Sequence, residues 1–191
     1  AEIDAFFSNE AQRYGISTLR PVHVTQQAPL KQAPPPSPEQ ASRLDAILWS
    51  LKLRFWAWRQ VAAVPRADVR LYTLYWGPGQ TQVPSSHGLR QGQIGVVHLY
   101  AQQDMKHGNA VVLAHELLHT LGASDKYNPA TLQPIFPQGY ADPALSPLLP
   151  QAFCELMAGR IPVREDRAEQ SDSLAHCQIG QASAREIGLL R

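Results

Sequence analysis

His115, Glu116 and His119 are the residues of this 191-residue chain whose types and spacing most directly specify chemistry. Two histidines four positions apart on a helix leave the same face one turn apart. Their neutral ring nitrogens can then meet one divalent ion at about 2.0–2.1 Å, the reach that zinc requires. Glu116 leaves the helix beside His115, placed to take a proton from metal-activated water without being a ligand itself. With seven histidines and 16 acidic residues, a His-Glu-x-x-His match arises by accident on the order of 0.01 times in such a chain.

An ion that performs chemistry needs a third protein ligand and an open position. Gly122 can take positive φ and end the helix. The returning chain then brings Asp125, six residues after His119, toward the same point. The other role open to Asp125 is that of a helix-end turn residue pairing with Lys126 or a backbone amide. Two ordinary histidines on an ordinary helix remain the bland alternative for the pair.

His115-Glu116-Leu117-Leu118-His119-Thr120-Leu121-Gly122-Ala123-Ser124-Asp125 resembles the extended zinc motif of the metzincins, with Asp where most members carry a third His. Its continuation through Lys126 to Tyr127 is similar to the snapalysin-type secreted bacterial metallopeptidases. Downstream, Cys154-Glu155-Leu156-Met157-Ala158-Gly159 resembles the metzincin Met-turn. The resemblance implies a zinc metalloendopeptidase with one catalytic Zn²⁺ on His115, His119 and Asp125, and Glu116 as general base. Met157 would be an apolar floor under the histidines. Tyr127 would donate to the oxyanion or, equally, pack beneath its loop. A protein or peptide substrate would lie extended along an edge strand within 86–100. In the other large His-Glu-x-x-His group, the gluzincins, a downstream Glu on a following helix is the third ligand. Glu155 is that alternative here, ranked second because Pro143, Pro147, Pro150 and Pro162 leave little room for a helix. A non-catalytic zinc-containing binding domain and a hydrolase of non-protein amides are the other classes; a purely structural site has no use for Glu116.

The elements that must position these residues read as an α+β order. Val22, Val24 and Thr25 suggest a strand over 18–30, after an amphipathic lead-in over 1–19. The Pro-rich connector 32–38 ends in a helix start, with Ser37 as N-cap, Pro38 in the first turn and Gln40 three after the cap. From there to about 63, Ala41, Leu44, Ile47, Leu48, Leu51, Phe55, Trp58 and Val61 recur at steps of three and four, the pattern of a long core-facing helix that Pro65 ends. Strands are expected over 68–76 and 94–102. The histidine helix opens near Gly108 and Asn109 and runs to Leu121. An ordered loop over 126–153 and a short helix over 181–190 follow. The implied fold is zincin-like: a twisted mixed sheet, long backing helix, active-site helix, Met-turn and short C-terminal helix. Residues 1–37 would form the lead-in, first strand and connector, and 38–191 the catalytic domain, the whole being one unit.

Composition excludes some classes. Apolar types are 44% and charged types 17%, enough for a packed core and too polar for a membrane-embedded chain. Formal net charge is +1, which gives no bulk reason to expect nucleic-acid binding. No apolar run is long enough for a transmembrane helix. Cys154 and Cys177, the only cysteines, form either one disulfide or two unrelated buried thiols. Thirteen Arg against four Lys suggest a GC-rich bacterial source. The expected location is extracytoplasmic: secreted, periplasmic or tethered to a membrane through an upstream segment. His98 reads as structural, and His23, His87, His107 and His176 offer at most an accessory site.

Overall fold

Strand β3 (Ile94–Tyr100) is the middle of a three-stranded sheet in the computed structural model, which describes residues 2–18, 20–38, 42–60, 67–80 and 83–190. It runs parallel to β1 (Arg70–Trp76) and antiparallel to the three-residue edge strand β2 (His87–Leu89), with Gly88 opposite Gly95. The near-continuous apolar run of β3 is what a strand covered on both faces requires, and all of it except Tyr100 is buried.

One face is covered by α2 (Arg43–Gln60), which lays Trp49, Leu53, Trp56 and Ala57 against Ile94 and Val96. Trp56 stands edge-on to Tyr72, ring centroids 4.7 Å apart, and Trp49 Nε1 donates to the Pro35 carbonyl at 3.1 Å. The other face meets α3 (Lys106–Leu121), whose Ala110, Ala114, Leu117 and Leu118 enter a second core. That core also holds Phe6 and Phe7 of α1 (Glu2–Arg13), so the N-terminal helix is a core element rather than a lead-in. Beyond α3 come the pair β4 (Cys154–Glu155) and β7 (Cys177–Gln178), the hairpin of β5 (Arg160–Arg164) and β6 (Arg167–Gln170), and α4 (Gln181–Glu186). Among the described residues this is a small mixed α+β fold of four α-helices and three small sheets.

Three expectations need correction. Among the described residues the segment 20–30 pairs with no strand; Pro21 and Pro29 remove ladder donors, and Val24 N–H is spent on the Asp4 carboxylate at 3.1 Å. The long helix begins at Arg43, not at 38. Its cap is Ser42, whose hydroxyl accepts from Asp45 N while the Asp45 carboxylate accepts from Ser42 N, a reciprocal box that Ser37 and Pro38 do not form. Gln40, Ala41, Val61 and Pro65 lie outside the described residues. Third, the stripe expected to face the core faces outward: Leu44, Ile47, Leu48, Leu51, Phe55 and Trp58 are all exposed. The helix is apolar on two faces, and the one carrying small Ala57 and the fully buried Leu53 is the one that approaches the sheet. β2 and the β5–β6 hairpin also escape the sequence pattern, since β2 has three residues, β6 four, and β5 carries Pro162.

Core truncations separate the two faces of α2. Leu53→Ala, a fully buried site, should cost about 2–5 kcal/mol in denaturant unfolding. Phe55→Ala, 60% exposed, should stay within about 0.5 kcal/mol.

Candidate metal centre

The C-terminal half of α3 carries His115, Glu116 and His119, and their ligand atoms lie within 4.8 Å of one another. Gly122 ends the helix in the left-handed region at φ 111°, its N–H bonded to the Leu118 and His119 carbonyls. Only glycine takes that conformation without strain. The turn it makes reverses the chain, and Asp125 Oδ1 arrives 3.2 Å from His115 Nε2 and 3.3 Å from His119 Nε2. Glu116 also offers an oxygen within 4.8 Å of both rings, and the Asp125 oxygen lies closer to them.

Each imidazole is aimed from behind. His115 Nδ1 donates to the Leu156 carbonyl at 3.0 Å and His119 Nδ1 to the Ala123 carbonyl at 2.9 Å. A carbonyl only accepts, so both Nδ1 atoms carry a proton and both Nε2 atoms face the Asp125 carboxylate, to which a protonated ring donates and where a bound metal would take that proton's place. The rings meet edge to face, centroids 4.7 Å apart. Nitrogen and oxygen donors around a tetrahedral ion stand about 3.4 Å apart; the Asp125–His separations match that spacing. His115 and His119 side chains are 17% and 19% exposed and Asp125 43%, so solvent reaches the point they share. The cluster could therefore hold a metal ion.

Electrostatics sharpen the roles. Burial raises the Glu116 carboxyl above its ordinary value, against the opposing pull of the two histidines. Glu116 Oε2 is buried without a hydrogen-bond partner. Burial would also raise Asp125, but hydrogen bonds from both histidine rings outweigh it and hold this carboxyl well below the carboxylate range. For His119 burial lowers the pKa, yet the bonds to Asp125 and Ala123 prevail and raise it. Burial and the Asp125 and Glu116 charges push the Tyr127 phenol up, so it stays protonated.

The loop carrying Asp125 is clamped on both sides. Lys126 is buried and its Nζ pairs with Glu186 of α4 at 2.7 Å rather than with Asp125. Glu186 also accepts from the Ser124 N–H and hydroxyl at 2.9 and 2.8 Å. Lys126 N–H donates to the Met157 carbonyl at 3.0 Å. Met157 is fully buried in a tight turn closed by Ala158 and Gly159 N–H bonds to the Glu155 carbonyl. The same turn supplies the Leu156 carbonyl to His115.

Glu155, the alternative third ligand, is directed elsewhere. Its two carboxylate oxygens accept from Gly180 N at 3.1 Å and Ala158 N at 3.0 Å, so it holds the turn and offers no oxygen to the histidines. Cys154 and Cys177 are partners across β4 and β7, Sγ atoms 2.7 Å apart, so the two side chains face each other where the disulfide that the sequence allows would form. The Cys154 thiol is pushed up by its bond to Cys177 and by burial, the opposite of an activated nucleophile. His98 is buried with Nδ1 accepting from Trp76 Nε1 at 2.9 Å. His23, His107 and His176 pair with Asp4, Glu2 and Asp172.

Sequence reading missed Glu186 and Gly88. Glu186 carries no local motif. A Cβ on Gly88 would overlap the Glu116 carbonyl oxygen and the His119 Cβ, so only glycine lets β2 lie this close to α3. A lone glycine in a polar stretch gives no warning of that.

Isothermal titration with a divalent transition metal should show one ion per chain. His115→Ala or His119→Ala should abolish uptake, Asp125→Ala should weaken it, and Glu186→Gln should weaken it about 10–100-fold through the loop alone. Because the metal competes with a proton on His119, whose pKa is raised, affinity should decline as pH falls, beginning above pH ~6.5, with protons released on binding. No family model, curated protein or solved structure matches the chain.

Proposed function

We propose that this chain is a zinc-dependent endopeptidase. The observation that carries the reading is the convergence of His115 Nε2, His119 Nε2 and Asp125 Oδ1 beside the buried, unpartnered Glu116 Oε2. Two imidazoles and a carboxylate form a donor set suited to zinc rather than to calcium or magnesium. Zinc bound there would act as a Lewis acid on a peptide carbonyl and make water a usable nucleophile near neutral pH.

The chain's own groups supply the rest. Glu116 takes the proton of the attacking water and returns it to the leaving amine; its raised pKa suits a group that must hold a proton between those events. Tyr127, kept protonated, donates to the developing oxyanion. Substrate lies extended along the outer edge of β2, which among the described residues pairs only with β3. The open side of the site, where Asp125 is 43% exposed, leaves room for the peptide. These features support the likeness to metzincins carried by the residue pattern 115–127 and Met157. A gluzincin arrangement is disfavoured because Glu155 is committed to the Gly180 and Ala158 amides.

Zinc-loaded protein should cleave internally quenched peptides or a denatured protein. Glu116→Gln should keep its zinc by elemental analysis yet lose about 10²–10⁴ in kcat. Zinc-replete wild type that cleaves nothing across a broad panel, or a Glu116→Gln variant as fast as wild type, would reject the peptidase reading.

A further inference from the structure

We propose that the outward face of α2 docks on an anionic lipid surface. Leu44, Ile47, Leu48, Leu51, Phe55 and Trp58 are 71%, 54%, 54%, 51%, 60% and 69% exposed. At 3.6 residues per turn they fall within an arc of about 100°, opposite the face that Leu53 and Trp56 bury on the sheet. Phe55 and Trp58 stand side by side, centroids 5.9 Å apart, at the C-terminal end of the stripe. Large side chains carry about 150–250 Å² each, so the stripe offers on the order of 700 Å² of apolar surface. A monomeric protein ordinarily leaves no more than a few hundred Å² in one patch. A helix apolar on both faces is one that is covered on both.

Charge decides what covers it. The same wheel puts Arg43 and Arg54 along one border of the stripe and Lys52 and Arg59 along the other, against a single acid, Asp45, spent on capping Ser42. Among the described residues Arg43, Lys52 and Arg59 have no ion pair. A second copy of this helix laid on the first would bring cations against cations at both borders. Anionic headgroups meet them with opposite charge while acyl chains take up the apolar stripe, and lysine and arginine reach outward from their buried stems to do so. A Leu/Ile/Phe/Trp face bordered by cations is the composition of helices that lie in the membrane interface. No helix among the described residues is long and apolar enough to cross a membrane, so the contact is with the surface.

The test is vesicle flotation of the full chain, and it is independent of peptidase activity. Vesicles of equimolar phosphatidylglycerol and phosphatidylcholine should carry the protein up, with binding about tenfold or more weaker on phosphatidylcholine alone and largely lost near 1 M salt, where the screening length is about 3 Å. Leu48→Glu with Phe55→Glu should abolish flotation, and Lys52→Glu with Arg59→Glu should remove the preference for phosphatidylglycerol. Circular dichroism and melting should match wild type, because all four positions are exposed. Brominated acyl chains should quench Trp58 emission, a loss absent from Trp58→Tyr. Wild type that stays at the bottom of every gradient, or an apolar-face variant that floats like wild type, would overturn the proposal. So would a lipid-free dimer in sedimentation that the Leu48→Glu, Phe55→Glu variant dissociates.

Discussion

Two backbone carbonyls, Leu156 O behind His115 and Ala123 O behind His119, are the constraint on which the rest of the site depends. Without them each imidazole would be free to carry its proton on either nitrogen and to rotate about its χ angles. With them, both Nε2 atoms face one point. The two carbonyls come from different places. Ala123 follows the helix immediately, so its position is a consequence of the Gly122 turn. Leu156 lies 41 positions from His115, and holding it there is a tertiary task.

That task falls to Glu155. A fully buried carboxylate is costly unless its oxygens are satisfied, and burial raises its pKa even though the backbone amides it accepts from oppose this. The group is tolerated because it is where three segments meet. It accepts from the Ala158 amide across its own turn and from Gly180 just before α4. Its Cγ sits so near Gly180 that a Cβ there would come within 2.7 Å. α4 in turn sends Glu186 to Ser124 and Lys126 on either side of Asp125. The turn beneath His115 and the clamp around Asp125 are therefore two ends of one connected unit, and Asp125 and His115 are positioned together.

The sequence disclosed what was local. The His-Glu-x-x-His spacing, the Gly122 stop and Asp125 six residues on all lie within one helix and one turn, where chain geometry alone sets distances. β1 and β3 were legible too, because β-branched and aromatic runs bounded by glycine have few other uses. What failed was non-local. Val22 and Val24 look like a strand until one asks which edge would receive them. Glu155 looks like a ligand until its two amide partners are known. Gly88 is invisible without the helix that it lets approach. The wrong face of α2 is the most informative failure. Periodicity picks out the six-residue apolar stripe, but packing against a sheet rewards close approach, and Ala57 with Leu53 and two tryptophans permits that on the opposite side.

The position of α2 links that stripe to the metal centre. Arg54 borders the stripe, and with Ser50 it also lines a cleft of about 330 Å³ that reaches His119 and Gly122. Arg90 comes from the other wall, its guanidinium so close to Gly122 that a Cβ there would approach it within 3.1 Å. One helix thus has its apolar side outward, its aromatic side on the sheet and its flank on the cleft beside a candidate ligand. A rigid helix cannot move one of these without the others. A surface that captures the stripe fixes the direction in which the cleft opens, and the Arg54 flank lies along the boundary between the two.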